Sequence, residues 1–317
     1  MSLSLPALAA NVDWSIRILD ATSGEVLAEE TATKRLKTAS IGKIFLLIEV
    51  ARRLEDGRLK AHERIEVLDE FFVEDSGLLY RMSDQNLTIE DAALFVGAFS
   101  DNLATNALIH ACGLDNVVAV AKGLGYENTT LLDYIRDDRG DPNLPWTSSY
   151  GTGAELSDVI RRLGEGDGEA ARAAGADADA SVITDAVRAR VLGWLAANAD
   201  TSMVASAFLL DPLAHVEREY QGLLLRHKTG AISTARIDVG HLSGPRGSIA
   251  YAVGANWDDA DEAGLDLRAT VESSMAQIGE QIRAWVTGLD RADGRVAPAA
   301  PAAPAAPSDG SEGEAAK

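Results

Sequence analysis

The chain has 317 residues, of which 46% are hydrophobic and 25% charged, as in ordinary globular proteins, so a wholly disordered chain is excluded. Lysine and arginine (29) against aspartate and glutamate (49) give a net charge of −20, which disfavours binding to nucleic acid or anionic membrane surfaces. The single cysteine, Cys112, excludes an internal disulfide and a thiolate metal cluster, and no apolar run reaches the roughly 18 residues of a membrane span.

The first segment, residues 1–14, is mildly apolar and has no lysine or arginine before Arg17. It therefore lacks the basic region of a secretory leader, although a processed mature form would look similar. We expect this segment to be a short docking helix or a ragged end, and we expect the protein to be cytoplasmic.

Strand patterns occur near both ends of the chain. Trp14, Ile16 and Ile18 alternate with polar residues, and turn residues at 22–24 precede a second strand at Val26, which predicts a hairpin. After Lys228 the texture is again strand-like, with alternating apolar residues at 237–239 and 249–253. Strands at both ends with helices between them predict an α+β body whose sheet is completed by both termini.

Helical periodicity dominates the middle of the chain and returns after the last predicted strand. The predicted helices run from Ser40 to Gly57, Thr88 to Phe99, Leu103 to Gly113, Glu155 to Leu163, Val182 to Leu195 and Val271 to Trp285. Residues 130–153 are rich in Gly, Pro, Asp and Ser and predict a long irregular loop, which in a compact domain is usually functional. Residues 165–180 predict an acidic solvated insertion. Residues 289–317 predict a disordered, acidic Ala/Pro-rich tail.

Familiar catalytic patterns are missing from the sequence. There is no HExxH or H-x₃₋₅-H pairing, so we expect no metal, and no GxGxxG or GxxxxGK[ST] supports a nucleotide site. No GxSxG sequence indicates an α/β-hydrolase nucleophile.

The stretch Ser-Ile-Gly-Lys at 40–43, at the start of the first long predicted helix, is the first candidate for chemistry. Residues i and i+3 share a helix face, so the Ser40 hydroxyl and the Lys43 amine should lie within reach of each other. A desolvated lysine near another cation has a lowered pKa and can take the serine proton. Taken alone, the stretch also fits an N-cap serine followed by a solvated lysine.

Two further polar triplets change this interpretation. Ser-Asp-Asn at 100–102 interrupts two apolar helical runs, where polar residues are costly unless they face a cleft, although an interhelix turn with a capping Asp or Asn also explains them. Lys-Thr-Gly at 228–230 enters a predicted strand, where the glycine allows close backbone approach. An ordinary exposed strand start is the alternative for this triplet.

In this order the three stretches resemble the signature of the penicillin-recognising serine enzymes, the class A β-lactamases and penicillin-binding proteins. Only Lys43 has a serine three residues before it, and only Lys228 opens Lys-Thr-Gly. The resemblance extends over about residues 12–288 and includes the stretch 76–79. It implies a β-lactamase/transpeptidase-like α+β fold. A helical domain (38–205) would pack on a discontinuous domain (1–37 with 206–288) that contains the antiparallel sheet.

The resemblance also implies a role for each motif residue. Ser40 would be the acylated nucleophile, Lys43 its proton acceptor or relay, and Ser100 the group that passes the proton to the leaving nitrogen. The implied substrate-binding residues are Asn102, Lys228, Thr229, Gly230 and Ala231, with the backbone N–H groups of Ser40 and Ala231 as an oxyanion hole. Arg236 is either a further carboxylate clamp or a solvated strand arginine.

One departure concerns the loop after Ser-Asp-Asn, where class A β-lactamases place a glutamate that activates the deacylating water. Residues 128–154 contain several aspartates but no glutamate. Asp138 and Asp141 are candidates by position, but aspartate is one methylene shorter. These aspartates could instead pair with Arg136 and Arg139 and only brace the loop. Acylation is therefore better supported than rapid hydrolysis of the acyl-enzyme.

The sequence thus predicts a serine hydrolase that forms an acyl-enzyme, with a β-lactam as the leading substrate class and no cofactor. We expect a small-molecule acyl substrate as its partner, no nucleic acid, no membrane, and a monomer. An esterase, a D-Ala-D-Ala peptidase or a glutaminase on the same fold remains open. So do a non-hydrolytic β-lactam-binding or sensing module and an interaction protein with a vestigial cleft.

Overall fold

Two antiparallel sheets and seven α-helices make up the part of the chain that the computed structural model describes, residues 3–165, 182–213, 222–258 and 264–288. The strands are β1 Asp13–Asp20, β2 Val26–Glu30, β3 Leu36–Lys37, β4 Thr130–Leu131, β5 Ser149–Gly151, β6 Leu224–Ile232, β7 Ala235–Gly244 and β8 Gly247–Asn256. The helices are α1 Lys43–Glu55, α2 Ile89–Phe99, α3 Asn102–Cys112, α4 Leu114–Gly123, α5 Gly153–Glu165, α6 Asp185–Leu195 and α7 Gly264–Thr287.

The larger sheet has the strand order β2-β1-β8-β7-β6, and each neighbouring pair is antiparallel. The N-terminal strand β1 therefore lies between its hairpin partner β2 and the late strand β8, with Ile16 opposite Val253. This confirms the predicted α+β fold and the sheet completed from both ends of the chain. The smaller sheet has the order β3-β5-β4, and its strands β4 and β5 lie at the two ends of the segment 130–153, which was expected to be a wholly irregular loop.

Apolar residues cover both faces of the larger sheet. Trp14, Ile16 and Ile18 of β1 belong to the core cluster that α7 completes, whereas Leu19 contributes to the second cluster, which contains α1. Successive side chains of a strand point to opposite faces of the sheet, which is why residues of one strand contribute to both clusters. Helix α7 begins earlier than predicted, at Gly264, and presents a buried stripe at 271, 275, 278 and 282 to the sheet.

Helix α1 is central, as its apolar sequence predicts, and residues 43–51 are all buried. Its start differs from the expectation: residues 39–42 form a 3₁₀ turn, and the α-helix begins at Lys43. Helix α4 was not predicted. It follows α3 directly after Gly113, whose φ of 77° ends α3 and redirects the chain.

The expectation of an N-terminal docking helix needs correction, and the expectations for the acidic insertion and the tail concern residues outside the described ranges. Residues 3–9 form no helix, but Leu3 donates its N–H to the Leu27 carbonyl and packs on the sheet cluster. The acidic insertion beyond Glu165 and the tail 289–317 lie outside the described residues. The domain boundaries stay a prediction.

In the described ranges no single helix has the length and hydropathy of a membrane span. Helices α3 and α4 reach these values only as a pair that is bent by 86°.

Candidate active site

A cleft of about 990 Å³ lies between the turn before α1, the α2–α3 junction, the loop 135–148 and strand β6. Residues from all three sequence motifs line this cleft, together with the loop. The predicted residues among them are Ser40, Ser100, Asn102, Thr229 and Ala231. Three short segments that are far apart in sequence therefore meet at one cavity.

Ser40 lies in the 3₁₀ turn that leads directly into α1 at Lys43. The hydrogen bonds of the Lys43 amine go to Ser100 and Asn102 and not to the Ser40 hydroxyl.

The residue before Ser40, Ala39, has a φ of 49°, a conformation that is costly for a non-glycine residue. The Ser149 hydroxyl donates to the Ala39 carbonyl at 2.5 Å and lies 2.8 Å from the Thr38 hydroxyl. Because this carbonyl shares a peptide plane with the Ser40 N–H, these contacts fix where that N–H points. No sequence pattern singled out Ser149.

Gly230 brings strand β6 against the same turn. A Cβ at this position would collide with the Thr38 carbonyl and would lie 3.2 Å from the Ser40 nitrogen. The absence of a side chain therefore lets the β6 backbone approach the turn, as the sequence pattern predicted for this glycine. The next residue, Ala231, lines the cleft beside Ser40.

Lys43 is fully buried at the base of the cleft. Its amine donates to the Ser100 carbonyl at 2.6 Å and to Asn102 Oδ1 at 2.7 Å, and lies 3.2 Å from Ser100 Oγ. Burial, followed by the charge of Lys228, holds the pKa of Lys43 well below its usual value. A neutral amine uses its two N–H groups for the two shorter bonds and keeps a lone pair that can accept a proton from a hydroxyl.

In the Ser-Asp-Asn junction, Asp101 holds backbone groups in place, whereas Ser100 and Asn102 line the cleft. Asp101 caps α3 by accepting from the Ala104 N–H at 2.9 Å, and its other oxygen accepts from the N–H groups of Leu78 and Leu79 at 2.7 Å each. Ser100 ends α2 with a φ of 54° and, like Asn102, lines the cleft. Both interpretations of this triplet are therefore combined in one turn.

Lys228 and Thr229 lie on the edge strand β6. The fully buried Lys228 donates to the Thr229 carbonyl at 2.8 Å, and burial lowers its pKa to about 8. Asp200, which sequence reasoning did not identify, lines the cleft and accepts a hydrogen bond from the Thr229 side chain. Burial tends to raise the pKa of Asp200, but hydrogen bonds from Ser202 and Thr229 outweigh it and lower the pKa.

A protein-family model described as the beta-lactamase enzyme family matches residues 5–286. The chain belongs to this family. The family and the fold together make this protein a serine β-lactamase-like hydrolase in general terms.

Solved structures of the family share the fold of this chain at low identity. A β-lactamase from Sphaerobacter thermophilus has 22% identity and a TM-score of 0.70, with 88% of this chain and 93% of that chain covered. PBP-A has 18% identity and a TM-score of 0.68, with coverages of 86% and 89%. A β-lactamase from Xanthomonas campestris has 18% identity and a TM-score of 0.66, with coverages of 86% and 92%. No curated protein matches the chain by sequence.

The expectation that Arg236 clamps a substrate carboxylate does not fit its position in this family member. Its guanidinium bonds to Glu272 of α7 at 2.8 Å and to the carbonyls of Ile232 and Ala235 at 2.6 and 2.8 Å. It also lies 6.0 Å from the centre of the Trp257 ring and does not line the cleft. The guanidinium is thus paired with α7 and buried, so it is not a solvated strand arginine either.

The two aspartates proposed for deacylation are not brought to the cleft either. Asp138 and Asp141 are exposed, and each accepts from a backbone N–H two residues later, which is a local turn contact. The bracing role suggested as an alternative belongs to another residue, Asp133, which accepts from Arg136 and Arg139 at 2.9 Å each.

The first part of the loop presents Ile135, Arg136, Asp137 and Arg139 to the cleft, and its last part presents residues 146–148. Asn106, one turn after Asn102 on α3, holds both backbone groups of Ile135: it accepts from the N–H at 2.8 Å and donates to the carbonyl at 2.9 Å. No glutamate lines the cleft in the described part of the chain. Sequence reasoning missed Asn106, although its spacing of four residues from Asn102 places both on the same face of one helix.

Proposed function

We propose that this protein is a serine hydrolase that is acylated at Ser40, that a β-lactam is its acyl donor, and that the acyl-enzyme is hydrolysed slowly. The observation that supports acylation at Ser40 is the buried Lys43, which contacts Ser100 and Asn102 at the base of a cleft that Ser40 lines. Slow hydrolysis of the acyl-enzyme is supported by the loop 135–148, which presents no glutamate to the cleft.

In acylation, Ser40 Oγ would attack the carbonyl carbon while neutral Lys43 accepts the hydroxyl proton. The backbone N–H groups of Ser40 and Ala231 would donate to the developing oxyanion. When the carbon–nitrogen bond breaks, Ser100 would give its proton to the leaving nitrogen and recover one from Lys43. The short contacts of Lys43 with Ser100 support this relay.

In deacylation, a water must attack the Ser40 ester, and a general base must take its proton. Of the loop side chains that line the cleft at 135–137, Ile135 is apolar, Arg136 is cationic and paired with Asp133, and Asp137 is exposed and has a carboxylate one methylene shorter than that of glutamate. Asp138 and Asp141 do not line the cleft and accept from backbone N–H groups in local turns. A general base contributes about 10²–10⁴-fold to such a step. We therefore propose an acyl-enzyme that persists, which also favours the β-lactam-binding or sensing module as the second candidate function.

The test uses a chromogenic cephalosporin and a p-nitrophenyl ester with intact-mass detection. We expect one equivalent of chromophore in a burst and a lasting adduct on the parent protein and on Ser273→Ala, a control whose serine is exposed on α7. Ser40→Ala should give neither. An adduct of equal yield on Ser40→Ala, or none on the parent with either donor, would falsify the proposal. Rapid steady turnover of the cephalosporin would contradict only the slow hydrolysis.

A further inference from the structure

The rim of the cleft concentrates exposed apolar side chains. Leu78, Trp146 and Ile232 are exposed to 44%, 53% and 42%, and all three line the cleft. Single exposed apolar residues are ordinary on protein surfaces, but several that converge on one cavity indicate a binding surface. Trp146 is the largest and the most exposed of the three.

The indole of Trp146 is held in one orientation by its neighbours. It stacks on Tyr150 of β5, with ring centres 6.2 Å apart and planes inclined by 13°, and the Arg35 guanidinium lies 4.9 Å from the Tyr150 ring centre. Tyr150 is in turn paired with Lys37 in the small sheet. A half-exposed indole with a fixed orientation offers a flat face to an aromatic ring at little entropic cost.

A cation accompanies this indole. The Lys37 ammonium lies 6.0 Å from the Trp146 ring centre, and Lys37 also lines the cleft. Its backbone is fixed by Asn256, which accepts from the Lys37 N–H at 2.9 Å and donates to its carbonyl at 3.0 Å. Across the described ranges no acidic side chain pairs with this ammonium, whereas Asp133 pairs with both arginines of the loop.

The position of this pair fits the acyl side of the substrate. Lys37 precedes Ser40 by three residues, so their Cα atoms are at most about 11 Å apart. Ile232 follows Ala231 at the end of β6, so it lies on the side of Ala231 that is farther from Lys228. A substrate that lies along β6 with its carbonyl at Ala231 and its leaving group near Lys228 therefore extends its acyl side chain toward Ile232 and the rim.

We propose that Trp146 and Lys37 form the binding site for the acyl side chain of the substrate, and that this side chain is an aromatic ring bearing a carboxylate. The ring stacks on Trp146, and the carboxylate pairs with Lys37. This inference rests on the proposed function, because it assigns the acyl donor of Ser40.

The experiment compares the second-order acylation rate constants of three p-nitrophenyl esters: 4-carboxyphenylacetyl, phenylacetyl and hexanoyl. We expect Trp146→Ala to lower the two aromatic rates about fivefold and leave the hexanoyl rate unchanged. Lys37→Gln should lower only the carboxyphenylacetyl rate, by about threefold to fivefold. Leu94→Ala, which removes an exposed apolar side chain on α2 outside the cleft, should leave all three rates unchanged. Equal effects of Trp146→Ala or of Lys37→Gln on all three esters would overturn the proposal.

A second measurement separates this inference from the acylation chemistry. 4-Carboxyphenylacetyl-glycinamide is titrated into Ser40→Ala while tryptophan fluorescence is recorded, with Ser40→Ala/Trp146→Phe as the matched control. Saturable quenching that the Trp146→Phe change abolishes supports the binding site even if no ester acylates the parent protein. Quenching of equal size in both proteins would overturn it, even if acylation at Ser40 is observed.

Discussion

At the scale of single residues, two buried lysines determine the electrostatics of the cleft. Lys43 and Lys228 are both fully buried, and burial lowers the pKa of each. The charge of Lys228 lowers the pKa of Lys43 further, whereas Asp200 and Asp238 oppose the lowering at Lys228. Lys43 is thereby suited to accept a proton while Lys228 can still carry charge near neutral pH.

This difference predicts a pH profile that depends on the substrate. The Lys228 amine is an ammonium below its pKa of about 8 and neutral above it, so attraction of a substrate carboxylate is lost as pH rises. For a carboxylate-bearing β-lactam we expect the acylation rate constant to fall about fivefold from pH 8 to about pH 9. For p-nitrophenyl acetate, which has no carboxylate, no such fall is expected. A stopped-flow profile in which both substrates lose rate equally would contradict this role of Lys228.

The motif residues could be identified from the sequence because each motif combines reactive side chains at short spacing. Ser149 and Asp200 could not, because a single serine or aspartate acquires meaning only from the distant residue it contacts. The orientation of Arg236 was also beyond the sequence, since it depends on Glu272, 36 residues away on α7.

At the scale of elements, the loop 135–148 is the segment on which the proposed slow hydrolysis of the acyl-enzyme depends. Its backbone is held by Asn106 at Ile135 and by the arginine pairs of Asp133, so its position does not depend on the side chain at 135. The sequence predicted a functional loop here and the shortage of glutamate. It could not predict which loop residues line the cleft, because irregular backbone has no period from which to infer direction.

The position of Ile135 predicts that a single substitution there adds the missing base. Ile135→Glu puts a carboxylate on a residue that lines the cleft, and we expect the lasting acyl-enzyme to be hydrolysed at least about tenfold faster. Ile135→Gln is the control of equal size and no basicity. Decay of the adduct is followed by intact mass after excess cephalosporin is removed. If the Glu and Gln variants lose the acyl group at the same rate, Ile135 is not adjacent to the attacking water.

At the scale of the whole molecule, the sheet could be predicted from both ends of the chain, but its strand order could not. Alternation identifies a strand and its buried face, as in β1, whereas the pairing of β1 with β8 joins residues more than 200 positions apart. The contact that joins α7 to the rest of the core was likewise hidden, because it depends on a glycine inside a regular helix.

Gly279 of α7 packs against the 3₁₀ turn Val204–Phe208, and a Cβ at this position would collide with the Val204 carbonyl. That turn also donates the Ala205 N–H to Asp238 of β7 at 3.0 Å, so it links α7 to the sheet. We expect Gly279→Ala to lower the free energy of unfolding by about 1–3 kcal/mol through overpacking. Gly193→Ala in α6, where a Cβ meets nothing within 4 Å, is the matched helical control and should raise it by about 0.5–1 kcal/mol. Urea unfolding of both variants measures the difference, and a stabilised Gly279→Ala protein would show that α7 is not held against this turn.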